Sequence, residues 1–217
     1  MDWDWNYTGD ILPDLLRGLR YTVIATLAGY VIALVLGMVW TLLRRTPFRA
    51  VNVTVRWVTE FIRSTPLLVQ LFFVFYVFPS WGLTLGSLTA GIIGLGVHYS
   101  TYTAEVYRAG IADVPRGQWE AATALNLPRS RVWLDVILPQ AIRRVIPTLG
   151  NYLIAMFKDS PLLLAINVGE LLAVAFKLGS ESLRFLEPIT LVGLLFVAVS
   201  IPSSILVRRL ERRYATD

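Results

Sequence analysis

Apolar residues in this chain come in long runs rather than in the short alternations of a soluble fold. Residues 21–43 carry no charge before Arg44 and Arg45, and a helix needs about 20 apolar residues to cross a ~30 Å hydrocarbon core. Residues 61–81 hold only Arg63 near their start and stop at Pro79, Ser80, Trp81 and Gly82. Residues 88–107 are a third run, with Glu105 and Arg108 close to its end. Residues 145–166 are interrupted by Lys158, Asp159, Ser160 and Pro161. Residues 189–207 follow Pro188, which suits a first helical turn, and contain Pro202, an expected kink. The pattern predicts an all-α, polytopic membrane protein with five transmembrane helices.

Composition sharpens that picture by exclusion. Of 217 residues, 55% are hydrophobic and only 16% charged, where a soluble domain carries about 25% charge. There is no cysteine, which removes disulfides, thiolate nucleophiles and thiolate metal sites. One histidine, His98, leaves no material for a multi-histidine metal centre. No metal or cofactor is expected, and the surroundings are membrane lipid rather than nucleic acid.

The net charge of +5 matters less than where the arginines lie. Arg44, Arg45, Arg49 and Arg56 follow the first run, and Arg116, Arg129, Arg131, Arg143 and Arg144 follow the third. Arg208, Arg209, Arg212 and Arg213 follow the fifth. The other side collects Asp2, Asp4, Asp10, Asp14, Glu170, Glu181 and Glu187, against Arg17, Arg20, Lys177 and Arg184. By the positive-inside rule the amino terminus is expected outside and the carboxyl terminus in the cytoplasm. The start lacks the basic region of a cleaved signal peptide, so residues 21–43 are expected to be retained. No repeat or flexible linker divides the chain, and residues 1–217 read as a single transmembrane domain.

The cytoplasmic segment of about 109–144 is too long for a simple turn. Pro115 can open a helix, residues 118–125 are good helix formers, and Asn126 with Pro128 can end it. Ser130 is expected to cap a second short helix over 131–137, before Leu138 and Pro139. Ala121 and Ala122 would leave one outward surface low, so that another backbone can approach.

These residues carry a recognisable pattern. Glu120-Ala121-Ala122, three residues, Asn126, nine residues, then Val136-Ile137-Leu138-Pro139 resembles the EAA motif of ABC-importer permeases. Asn126 stands where glycine is usual, and asparagine is the non-glycine residue that best tolerates positive φ. Val136 stands where isoleucine is usual. The stretch from Arg63 and Ser64 through Thr65-Pro66-Leu67-Leu68-Val69-Gln70 is similar to a segment of the polar amino-acid branch. So are Ala104-Glu105-Val106-Tyr107-Arg108-Ala109-Gly110-Ile111 and Lys158-Asp159-Ser160-Pro161-Leu162. The amino-terminal stretch also looks like permeases of ectoine and hydroxyectoine importers.

The resemblance implies a type I ABC importer permease. Its partners would be an ABC ATPase subunit, a second permease subunit (homologous or identical) and an extracytoplasmic solute-binding protein, in a bacterial inner membrane. The implied solutes are polar amino acids or zwitterionic compatible solutes. ATPase coupling would fall on Glu120, Ala121, Ala122, Asn126, Leu138 and Pro139. The chain has no phosphate loop of its own, since Lys158 and Lys177 follow phenylalanines rather than glycine.

Candidate substrate-pathway residues are Gln70, Tyr102, Lys158, Asp159 and Ser160. Lys158 and Asp159 either line the pathway, satisfy each other, or snorkel to the outer headgroups. Gln70 and Arg63 are seven apart, hence expected on nearly one helix face, and Gln70 must find a partner in the bundle. His98 and Tyr102 share a face, with an interhelical hydrogen bond the simplest role for His98. Glu105 and Arg108 are spaced for a local ion pair. A membrane-embedded enzyme acting on lipid or acyl substrates would want a nucleophile, base or metal set that is not evident here. A secondary transporter would be expected to show two related halves.

Overall fold

The computed structural model describes residues 3–214; Asp2, placed above among the outer acids, lies outside the described residues. Among the described residues every regular element is helical. Each of the five predicted runs falls on helix, but the boundaries differ in ways that matter for function.

Helix α1 (Trp5–Leu43) has 39 residues, about 58 Å at 1.5 Å per residue. It starts at Trp5 rather than at residue 21, capped by the Asp4 carboxylate, which accepts from Asn6 N at 2.9 Å and Tyr7 N at 3.1 Å. Asp10, Asp14, Arg17 and Arg20 look like a break in sequence. They do not break the helix, because Ile11 and Leu15 on the other face pack into a core with Leu171, Ala175 and Val192.

The next predicted crossing, 61–81, is not one helix. α2 (Arg49–Ser64) ends at Thr65, and α3 (Leu67–Phe72) continues through a π turn (Phe73–Val77) and a 3-10 turn (Phe78–Trp81). The two parts meet at 103°. Proline has no N–H and disfavours a helical residue before it; Thr65, preceding Pro66, is extended at φ −98° and ψ 140°.

α4 (Ser87–Ala112) is the central helix. It is about 39 Å long, but buries His98, Ser100, Thr101 and Thr103 among its apolar residues. Protein rather than lipid surrounds this helix, so it need not be uniformly apolar. Small residues on α1 (Ala25, Gly29, Ala33, Gly37, Thr41), spaced by four, let the two backbones close. A Cβ on Gly96 would meet Ile32 Cβ at 2.7 Å. Thr103 Oγ1 donates to Ala33 O at 2.7 Å and Thr41 Oγ1 to Ala104 O at 3.1 Å, which fixes the register.

α5 (Arg116–Ala124) and the three-residue α6 (Arg129–Arg131) follow. Chain 129–131 runs through a π turn (Val132–Ile137) straight into α7 (Leu138–Asp159). The second short helix is therefore not separate, and Ser130 is inside it rather than its cap; Pro128 holds the cap position. α7 ends at Asp159 in a 3-10 turn (Ser160–Ile166), and α8 (Leu171–Ser182), which the hydropathy runs did not predict, packs on α1. α9 (Leu186–Tyr214) overruns the expected 189–207 at both ends and contains Pro202.

By length and apolarity α1 and α9 can each cross a membrane, and α2 with residues 67–81 and residues 129–166 with α8 qualify as broken spans. α4 is too polar to qualify by itself. The main core joins α1, α3, α4, α7 and the 3-10 turn after it around Leu71, Leu95, Met156 and Leu163.

Candidate functional site

Two places collect the residues singled out in sequence. The first is the corner built by α5 and the start of α7. α5 stops in a Schellman arrangement: Asn126 sits at φ 52°, Leu127 N donates to Ala122 O at 3.2 Å, and Asn126 N donates to Thr123 O at 2.9 Å. Asn126 therefore fills the left-handed position its spacing implied.

Glu120 and Ala121 are exposed, and among the described residues Glu120 makes only an exposed 3.2 Å pair with Arg116. Ala122 is different: at 3% exposure it is buried, so the low outward surface belongs to Ala121 alone. Beneath α5, Val114, Ile137 and Ala141 form a small core with Trp119 and Trp133 packed on it. The two indoles meet edge to face at 5.1 Å, and the Arg45 guanidinium lies 5.1 Å over Trp133. Burial lowers the Arg45 pKa from its ordinary value, and arginine remains charged nonetheless. Leu138 lines a cavity of about 660 Å³ beside Arg45 and Trp133, while Pro139 is accommodated at the first turn of α7. The corner is thus tied to the end of α1 as well as to α7.

The second place lies inside the bundle. Gln70 does not share a continuous helix with Arg63, because the break at Pro66 separates them. Its Nε2 donates to Ile62 O at 2.6 Å, Thr65 O at 3.0 Å and Thr65 Oγ1 at 2.7 Å, partnering oxygens beside the break. That leaves Oε1 facing His98 Nδ1 at 3.2 Å. An amide oxygen can only accept, so this network puts the proton on Nδ1. The expected interhelical bond of His98 is this one.

His98, Tyr99, Tyr102 and Tyr152 form a ring cluster with centroids 5.3–6.3 Å apart. Tyr99 Oη donates to Asp159 Oδ2 at 2.7 Å. Aromatic faces beside a carboxylate suit an organic cation. Lys158 and Asp159 do not satisfy each other. Asp159 turns towards Tyr99 on α4, and Lys158 lines a separate cavity against α9. Ser160 does not fit the pathway role: it is wholly buried and its Oγ donates to Phe157 O at 2.8 Å, closing the end of α7.

Sequence reading missed Tyr99 and Tyr152, which only packing brings to Tyr102. Below the cluster, Glu105 pairs with Arg108 at 2.7 Å as expected. It also pairs with Arg44 at 2.5 Å and Arg63 at 3.8 Å, joining α1, α2 and α4. Among the described residues no group of acids and histidine is placed to hold a metal ion.

An all-helical, multi-pass membrane bundle with a braced α5 corner has the type I ABC importer permease fold. The chain belongs to the family of binding-protein-dependent transport system inner membrane components, which it matches over residues 29–216. It is 46% identical over 198 residues to a probable amino-acid ABC transporter permease protein, y4tG, of Sinorhizobium fredii, covering 91% of this chain and 86% of that one. It is 30% identical to the arginine transport system permease protein ArtQ of Bacillus subtilis over the full length of both chains. Among solved structures, one described as an amino acid ABC transporter with histidines superposes with a TM-score of 0.93 at 31% identity, covering 98% of this chain and all of that one. The chain is therefore a multi-pass inner-membrane transport component and not an enzyme, which removes the lipid-enzyme alternative.

Proposed function

We propose that this chain is the permease subunit of an ATP-driven importer of amino acids. In this reading an extracytoplasmic binding protein delivers the solute, a second permease subunit completes the passage, and an ABC ATPase docks on α5. The amino terminus lies outside and the carboxyl terminus in the cytoplasm, which the arginine distribution supports. Residues 1–217 act as one transmembrane domain. Glu120 and Ala121 are the docking surface, Ala122 and Asn126 set its shape, and Leu138 and Pro139 connect it to α7. Gln70, Tyr102, Asp159 and Lys158 belong to the solute pathway, in which Ser160 has only a supporting place.

The observation that carries this reading is the α5 corner. It is exposed where a partner would touch, closed by Asn126, and braced to α1 and α7 by the Trp119–Trp133–Arg45 stack. Movement of α5 would be passed into the bundle rather than absorbed. Relatives of this chain include permease proteins of arginine, L-cystine and glutamine transport systems, and the tyrosine cluster beside Asp159 suits the ammonium group those solutes share. Ectoine and hydroxyectoine, also zwitterionic, fit the same charges.

Co-expression with the ATPase tests it. Wild-type protein should co-purify with the ATPase and show solute-stimulated ATP hydrolysis in vesicles, and Ala121→Trp should lose both. A cysteine at Ser130 should be modified by impermeant reagents only from the cytoplasmic side. Retention of docking by Ala121→Trp, or labelling from outside, would sink the corresponding part of the proposal.

A further inference from the structure

α9 is apolar and largely uncovered, with one exception along its length. Ser200, Ser204 and Arg208 are spaced by four and so share one stripe of the helix. All three line a cavity of about 540 Å³, together with Lys158 from the end of α7. Lys158 has no hydrogen-bond or ion-pair partner among the described residues, and the buried Ser200 Oγ has none either.

Depth makes this arrangement costly unless it is used. Phe157, next to Lys158, meets the Phe196 ring at 5.0 Å. Phe196 lies ten residues into the 29-residue α9, about 15 Å below its outer end. Lys158 therefore reaches α9 well inside the apolar span and not at the headgroups, which disfavours snorkelling. Arg208 is twelve residues further along, about 18 Å deeper. That puts Arg208 about 33 Å from the outer end, at the inner mouth of the span. Lys158 is therefore the cation held inside it, and an unpaired cation there is retained where it meets water or an anion.

We infer that Lys158, Ser200, Ser204 and Arg208 form an anion-facing wall of the passage, which takes the carboxylate of the transported solute as it moves inwards. This rests on the permease reading and adds to it a second polarity: Asp159 and the tyrosines address the solute's cation, and α9 addresses its anion. Two cations joined by hydroxyl donors give a carboxylate successive places to rest, without a single deep well.

The chain has no cysteine, so Ser200→Cys and Ser204→Cys each introduce one thiol. The assembled transporter in vesicles is treated with sulfonatoethyl (anionic) and trimethylammonioethyl (cationic) methanethiosulfonate, and rates are normalised to a free thiol. The anionic reagent should react about tenfold faster or more, the range expected of a like-signed cleft. Lys158→Gln with Arg208→Gln should abolish that preference, and Lys158→Arg with Arg208→Lys should restore it. No reaction with either reagent, or equal rates that ignore the charge changes, would overturn the inference. A preference that follows the anionic lipid content of the vesicle would assign the wall to a lipid headgroup and overturn it as well. Solute-stimulated ATP hydrolysis measured on the same vesicles separates the two failures. Its persistence without charge selectivity refutes only the wall, whereas its absence from unlabelled wild-type vesicles counts against the permease reading.

Discussion

The α5 corner and the cluster inside the bundle are built on opposite plans. The corner is mainly local: α5, Asn126 and the start of α7 lie within about 30 residues around a small core of Val114, Ile137 and Ala141, with Arg45 from the end of α1 as an added brace. The inner cluster is assembled from afar, with Gln70 from α3, His98, Tyr99 and Tyr102 from α4, and Tyr152 and Asp159 from α7. A surface that must present a fixed shape to a partner can be encoded in one segment. A site that must change as helices move draws its parts from several, because relative motion of those helices then changes the site.

The sharpest test of that contrast is Ala122→Trp. Ala122 is buried, and overpacking a buried position costs about 1–3 kcal/mol, enough to loosen so short a helix. Limited proteolysis should find the 109–144 segment cleaved faster, with ATPase docking lost as a consequence. Ala121→Trp should lose docking with the protease pattern unchanged. Similar protease patterns for the two variants would remove the distinction drawn between these neighbours.

Gln70→Leu should come next. It removes the Gln70 donor from Thr65 O and the acceptor from His98 Nδ1, while Ile62 O keeps the Thr65 hydroxyl at 3.0 Å, at about 1 kcal/mol for each part-buried bond lost. Thermal unfolding in detergent should shift downwards and solute uptake should fall, while ATPase co-purification persists. Loss of co-purification at unchanged stability would tie the break at Pro66 to the corner and blur the two regions.

Tyr99→Phe deletes the hydrogen bond to Asp159 with little change in shape. A bond to a charged group is worth about 1.5–3 kcal/mol, and the expected result is weaker uptake with normal basal ATP hydrolysis. Unaltered uptake would remove Asp159 from the pathway.

The smallest effects belong to Asn126. Glycine there should be neutral or slightly stabilising, since it enters the left-handed region freely. Valine should cost about 1–2 kcal/mol and lower coupling, read as ATP hydrolysed per solute transported. A valine variant with normal coupling would show that the turn can be made another way.

The sequence alone determined the local and the compositional. Long apolar runs placed the chain in the membrane, because a bilayer core admits little else. The spacing from Glu120 to Pro139 located the corner, because helix start, stop and positive-φ turn are decided by neighbours in the chain. The tertiary structure decided whatever depended on distant surfaces. α1 runs unbroken past Asp10 and Asp14 because α8 covers the opposite face. Ala122 is buried while Ala121 stays exposed because α5 packs one face on the π turn before α7. Lys158 and Asp159 are adjacent in the chain, but successive helical residues point about 100° apart. Only the positions of α4 and α9 settle that one carboxylate meets a tyrosine and the neighbouring ammonium faces an open groove.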